Sequence, residues 1–329
     1  PNGILRLMKG FSYNIISEKG QIMSDGLQVP DRADGMASFA GKDGKIILIR
    51  NHEIGHYRNI EKLLNLNPFY KDKQYLKNHK SFIYDNGTKN IPCCGGTTTI
   101  VYNPYLQKIE KEYLSLAGTL INCSGGPTPW GTWISCEETV ETKGGDLLKN
   151  HGYNFEVIPS ENIQLNKAVP LKEMGRFRHE AVAIDSITNI AYQTEDQNDG
   201  LIYRFIPNVK QNYNKGGKLQ ALAIKKIKKA DTRNWNNQNF ILGKKYNIEW
   251  LDCNNIENLK DDLRYNSIDK GAAFFARPEG MWCDNHMVYF TCTSGGAKQL
   301  GQIWKIDLKK QVLELIFESN NSEAMKACD

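Results

Sequence analysis

The sequence predicts an all-β fold, a β-propeller, from three features: short runs of alternating apolar and polar residues, turn signals between them, and a multi-strand unit that occurs more than once. Alternation marks strands at Lys45 to Arg50, Thr97 to Tyr102, Gly131 to Cys136, Tyr153 to Ile158, Ala181 to Asp185, Leu201 to Phe205, Met287 to Thr291 and Gln302 to Ile306. Between them stand Asp43-Gly44, Asn86-Gly87, Ser124-Gly125-Gly126, Gly144-Gly145, Asp199-Gly200 and Gly295-Gly296, the punctuation of a meandering antiparallel sheet. Helical periodicity covers only Ile60 to Leu66 and, more weakly, Lys71 to Lys80, a small helical insertion between strands.

The repeated unit runs Glu180-Ala-Val-Ala-Ile-Asp185, then Ile190 to Thr194, then Gly200 to Tyr203. Its counterpart is Glu279-Gly-Met-Trp-Cys-Asp284, then Met287 to Thr291, then Gly301 to Trp304, and a weaker third copy begins at Thr132-Trp-Ile-Ser-Cys-Glu137. A unit of glutamate, strand, turn, strand, loop and strand is what a propeller blade looks like in sequence, with a β-sandwich as the alternative. In a propeller the innermost strand of each blade lines the channel, so glutamates at its start converge at one mouth.

The 329 residues, 40% hydrophobic and 24% charged, exclude a disordered or fibrous chain. Mean hydropathy is −0.53 and no apolar run approaches the roughly 20 residues of a spanning helix, so no membrane insertion is expected. The net charge of +5 is spread along the chain, a poor footprint for nucleic acid. Lys225, Lys226, Lys228 and Lys229 read as a solvated edge or loop. Eight cysteines without CxxC pairs indicate neither a disulfide scaffold nor a zinc framework. The chain opens at Pro1 with no basic segment followed by an apolar one, so a targeting peptide is expected to be absent or already removed. The whole of 1–329 reads as one propeller domain.

Convergence of Glu137, Glu180 and Glu279 predicts bound metal, because clustered carboxylates repel unless cations neutralise them. Ser135-Cys136-Glu137-Glu138 sets a thiol beside two carboxylates, a mixture for a transition metal and a hard ion, although Cys136 also reads as a buried strand residue. Arg178 and Arg277 each stand two residues before a repeated glutamate, on the same strand face, where a guanidinium can bind an anionic oxygen. Glu195-Asp196 and Asn51-His52-Glu53 offer oxygen donors suited to calcium, or are ordinary turn acids. His52-Glu-Ile-Gly-His56 spells the zincin string, but it follows a strand and contains Gly55, so a strand-end turn is the better reading. No Gly-x-Ser-x-Gly elbow is present.

Taken together, Gly131-Thr-Trp-Ile-Ser-Cys-Glu-Glu138, Gly175-Arg-Phe-Arg-His-Glu-Ala181, Thr194-Glu-Asp196 and Arg277-Pro-Glu-Gly280 resemble the signature blocks of the PhoX alkaline phosphatases, with Asn51-His-Glu53 and Asp34-Gly-Met36 in keeping. The resemblance implies a six-bladed propeller with two oxide-bridged ferric ions (Fe3+) and calcium (Ca2+), hydrolysing small phosphate monoesters in the periplasm or outside the cell. By matching position, Cys136, Glu180 and Glu279 would hold iron, Glu137 calcium or both metals, and Glu53, Glu195 and Asp196 calcium. Arg277 and Glu279 would be catalytic, and Arg277 with Arg178 would bind the phosphoryl group. The chain resembles a compact branch and stops before that branch's closing strands. The alternatives are a calcium-dependent propeller esterase or lactonase, and a non-enzymatic interaction module.

Overall fold

The computed structural model describes residues 4–56, 60–67, 72–88 and 93–329. Its first antiparallel meander is β1 (Ala33–Ala40), β2 (Ile46–His52), β3 (Gly95–Asn103) and β4 (Lys108–Thr119), with α1 (Ile60–Leu66) and α2 (Lys73–His79) inserted between β2 and β3. A three-stranded unit follows, β5 (Asn122–Pro127), β6 (Trp133–Glu137) and β7 (Asn154–Val157). The third unit is β8 (His179–Ile184), β9 (Ala191–Glu195), β10 (Ile202–Pro207) and β11 (Gly217–Ile224). Next come β12 (Lys245–Asp252), α3 (Leu263–Lys270) and a fourth unit, β13 (Pro278–Asp284), β14 (Met287–Cys292), β15 (Gln302–Asp307) and β16 (Val312–Glu318). Because β12 pairs with both β11 and β16, the last two units merge into one nine-stranded sheet.

These units are propeller blades. Their first strands β1, β5, β8 and β13 lie side by side, β5 against β1 and β8, and β8 against β13. The predicted runs are all strands, and both full copies of the repeat are blades in register, β8 to β10 and β13 to β15. The third copy is out of frame. Its residues Trp133–Glu137 form β6, a second strand, so Glu137 does not occupy the position of Glu180 and Glu279. Among the described residues no helix is long and apolar enough to cross a membrane.

Apolar side chains cement the blades to one another. Ile49, Tyr84, Trp133, Tyr153 and Phe155 join the first to the second. Ile134, Phe177, Val182, Tyr203 and Phe205 join the second to the third. Between the third and fourth, Phe275 meets Phe290 and Trp304 edge-on at 5.2 and 5.7 Å. Each such side chain contributes about 1.5–3 kcal/mol by leaving water. The strand β8 is buried along its length, whereas β14 alternates, as expected for an inner and a second strand.

Candidate metal centre

Every blade builds its channel end in the same way. The first residue of the inner strand pairs with the last residue of its neighbour: Ala33 with His52, Asn122 with Glu137, His179 with Glu195, and Pro278 with Cys292. In all four the register then breaks before the fourth residue of the inner strand. A bulge there takes the second residue out of the ladder and re-aims its side chain. That residue is Asp34, Cys123, Glu180 or Glu279. The residue just past the second strand is Glu53, Glu138, Asp196 or Thr293, and its amide donates to the carbonyl preceding the inner strand: Arg32 at 2.8 Å, Ile121 at 2.9 Å, Arg178 at 3.2 Å and Arg277 at 3.1 Å. Each blade thus delivers a pair of polar side chains to one place.

The pairs meet. Glu53, Cys123 and Glu138 bring one ligand atom each within 4.8 Å of one another, and so do Glu180, Glu279 and Asp329. The Cys123 thiol lies 3.5 Å from Asp34 Oδ2 and also hydrogen-bonds Glu180, and Glu138 shares a hydrogen bond with Asp196. Arg277 donates from Nε and Nη2 to the two oxygens of Asp196 at 2.9 and 2.6 Å, and from Nη2 to Glu279 Oε1 at 2.5 Å. Thr293 Oγ1 donates to the same Glu279 oxygen at 3.2 Å.

Burial followed by mutual repulsion dominates the electrostatics. Glu138 is pushed up to about 8 by desolvation, then by Asp196, Glu279 and Glu53. Glu279 rises to about 8 by desolvation and Asp196, with Arg277 opposing. Glu180 lies well above the carboxylate range through burial, Glu279 and Glu138. Burial also raises Glu53, Asp34 and the Cys123 thiol. Glu180 is only 2% exposed, and its Oε2 is buried without a hydrogen-bond partner. A buried carboxylate oxygen left unpaired is costly. Oxygen donors around one thiol suit a set of cations, and the residues fit such a group.

The structure brings together Glu53, Glu180, Asp196, Arg277 and Glu279 from the residues singled out in the sequence. Cys136 stands outside those groups of donors: the thiol is fully buried in the apolar cluster of Ile134, Phe177, Val182 and Tyr203, and Glu180 is the carboxylate whose charge reaches it. Glu137 is likewise turned away, accepting the amides of Leu120, Gly152 and Tyr153 and lying 2.6 Å from His151 Nδ1. Glu195, its equivalent in the third blade, accepts from the Tyr203 hydroxyl at 2.9 Å and faces Arg264 Nη1 at 3.5 Å. The reason is common to Glu137 and Glu195. As last residues of second strands they point between blades, while the next residue enters the channel. Arg178 pairs with Asp261 at 2.5 Å. His52 ends β2 and bonds Asp31 O and Thr98 Oγ1, so the zincin string is a strand end.

Cys123 is the residue that the sequence motifs pass over, whereas Asp34 and Glu138 stand inside motifs singled out above without a ligand role of their own. Cys123 is followed by Ser124-Gly125-Gly126, which reads as a turn but lies inside β5. Those glycines serve close approach: a Cβ on Gly126 would stand 1.7 Å from Val182 O, and one on Gly125 1.8 Å from Ile134 O. The signal for Cys123 is positional, since it is the second residue of an inner strand like Glu180 and Glu279.

The family model described as alkaline phosphatase PhoX matches residues 1–328. Among solved structures the chain is similar to Pseudomonas fluorescens PhoX in complex with vanadate, a transition state analogue, with a TM-score of 0.55 and 17% identity over 88% of this chain and 67% of that one. At that identity the likeness establishes the fold. No curated protein matches the chain. The family match leaves no blade outside it, and the chain belongs to the PhoX family of alkaline phosphatases, which are phosphoric monoester hydrolases.

Proposed function

We propose that the chain hydrolyses small phosphate monoesters at a cluster of ferric iron and calcium held by Asp34, Glu53, Cys123, Glu138, Glu180, Asp196 and Glu279. The observation that carries this reading is the buried, mutually repelling acid cluster with its unpaired Glu180 oxygen. Cys123 supplies the soft donor that favours iron, and the carboxylates supply the hard donors that favour calcium. Such cations, when bound, neutralise a phosphate dianion and ease formation of an oxygen nucleophile. The compartment we assign is the family's usual one, periplasmic or secreted.

Arg277 performs the recognition. Its side chain is 43% exposed, and its donors are taken up by Asp196 and Glu279. Carboxylates committed to cations hold the guanidinium less tightly, leaving its planar fork for two phosphoryl oxygens. The same contact strengthens as charge redistributes over the equatorial oxygens in the transition state. Arg178, its counterpart one blade earlier, spends its charge on Asp261 and orients rather than contacts the ester.

Protein produced with iron and calcium available should contain both by elemental analysis and should hydrolyse an aryl phosphate. Glu279→Gln should abolish turnover and leave the circular dichroism spectrum unchanged. Full activity in that variant, or cleavage of aryl esters and lactones in place of phosphates, would sink the assignment.

A further inference from the structure

Outside the channel, three fully buried side chains converge that phosphate hydrolysis does not use. Asp85, Cys93 and His151 each bring one donor atom within 4.8 Å of the others. Nε2 of His151 faces Cys93 Sγ at 3.9 Å and Asp85 Oδ2 at 3.4 Å. On the other side of the ring, Nδ1 lies 2.6 Å from Glu137 Oε1.

One hydrogen on Nε2 can serve one acceptor, and 3.4 Å is long against the about 2.7–2.9 Å of a charge-assisted hydrogen bond. The two distances instead approximate the edges of a coordination tetrahedron. With a zinc–sulfur bond of about 2.3 Å and zinc–nitrogen and zinc–oxygen bonds of about 2.0–2.1 Å, those edges are about 3.6 Å and about 3.4 Å. The short contact to Glu137 completes the carboxylate–histidine–metal arrangement: a hydrogen on Nδ1 donated to Glu137 turns the Nε2 lone pair toward the ion. Asp85 is fixed in place by backbone amides, Gly87 donating to Oδ1 at 2.7 Å, and Leu148 and Lys149 to Oδ2 at 2.8 and 2.7 Å.

We infer that Asp85, Cys93 and His151 bind one divalent transition-metal ion, zinc by the character of its donors, as a structural tie distinct from the channel cluster. The ion fastens the residues just ahead of β3 to those following β6. Glu137 links it to the catalytic region through the chain, because the next residue, Glu138, enters the channel. Binding balances as one divalent ion taken up and two protons released, one from the imidazole and one from the thiol. The inference does not depend on the phosphatase reading.

The test uses the full chain with Cys123→Ser, which removes the channel thiolate, stripped by chelation and titrated with cobalt(II). One equivalent should produce a thiolate-to-cobalt charge-transfer absorption in the near ultraviolet, and adding Cys93→Ser should abolish it. Folded Cys123→Ser protein without that absorption overturns the proposal, and so does absorption that survives Cys93→Ser. His151→Gln in the same background gives a second reading that keeps the thiolate: cobalt affinity should fall at least about tenfold, and an unchanged affinity overturns the assignment.

Discussion

Glu137 and Glu138 are chain neighbours with opposite duties, and the same division separates Glu195 from Asp196. The first of each pair is consumed by amides, hydroxyls or a cation between blades, and the second faces other acids across the channel. Two cysteines divide similarly. Cys123 stands among Asp34, Glu180 and Glu138, whereas Cys136 is buried among apolar side chains with Glu180 as its carboxylate neighbour. On the proposed reading Cys123→Ser should therefore reduce the iron content and lower the melting temperature of metal-loaded protein, with little change in that of chelated protein. Cys136→Ser should keep its metals and lose about 1–3 kcal/mol, the cost of burying a hydroxyl in a largely apolar cluster. Elemental analysis beside thermal melts reads both, and the reverse pattern would restore Cys136 as the ligand. Arg277→Ala should lower kcat/KM for an aryl phosphate at least about a hundredfold while shifting the calcium requirement little. Equal losses in both would mark Arg277 as a support for Asp196 and Glu279.

Strands with strong alternation were legible in the sequence, and so was the repeat that made two of the blades. The inner strands were harder to see. β1 is built mostly from small residues and β5 contains Ser124-Gly125-Gly126, because an inner strand faces a polar channel on one side and a crowded neighbour on the other. The third residue of every inner strand is small, Gly35, Ser124, Ala181 or Gly280, just after the ligand-bearing second. Hydrophobic period cannot report a position defined by a bulge, which is why Cys123 escaped and Asp34 and Glu138 were seen only as parts of motifs, while Glu180 and Glu279, framed by the repeat, were assigned as ligands. Gly126 shows the packing constraint most sharply. Gly126→Ala would drive a methyl group to 1.7 Å from Val182 O, so β5 and β8 must part. The variant should lose about 1–3 kcal/mol or more on denaturant unfolding and should also retain less metal, since Cys123 and Glu180 sit on those two strands. Full stability with full metal content would show that the inner strands are not held at contact distance.

Across the whole molecule, the blades are joined by apolar surfaces on their flanks and pushed apart by acids at their channel ends. Without cations the acids respond by holding protons. The folded-state values of Glu138 and Glu279, about 8, lie above the ordinary 4.5, so between those limits the folded chain carries more protons than the unfolded one. Stability from this source is fully present below about pH 4.5 and is lost as the pH rises through about 8. Bound cations replace those protons and attract the same carboxylates, so they restore what the higher pH removes. Chelated protein should therefore melt at progressively lower temperature as the pH is raised across this window. The gap between metal-loaded and chelated melting temperatures should widen over the same range, making the ions the tie that holds the channel ends of the blades together in the alkaline conditions that the family's name describes. A chelated protein whose melting temperature stays level or climbs with pH would show that the channel acids are neutralised by some means other than cations.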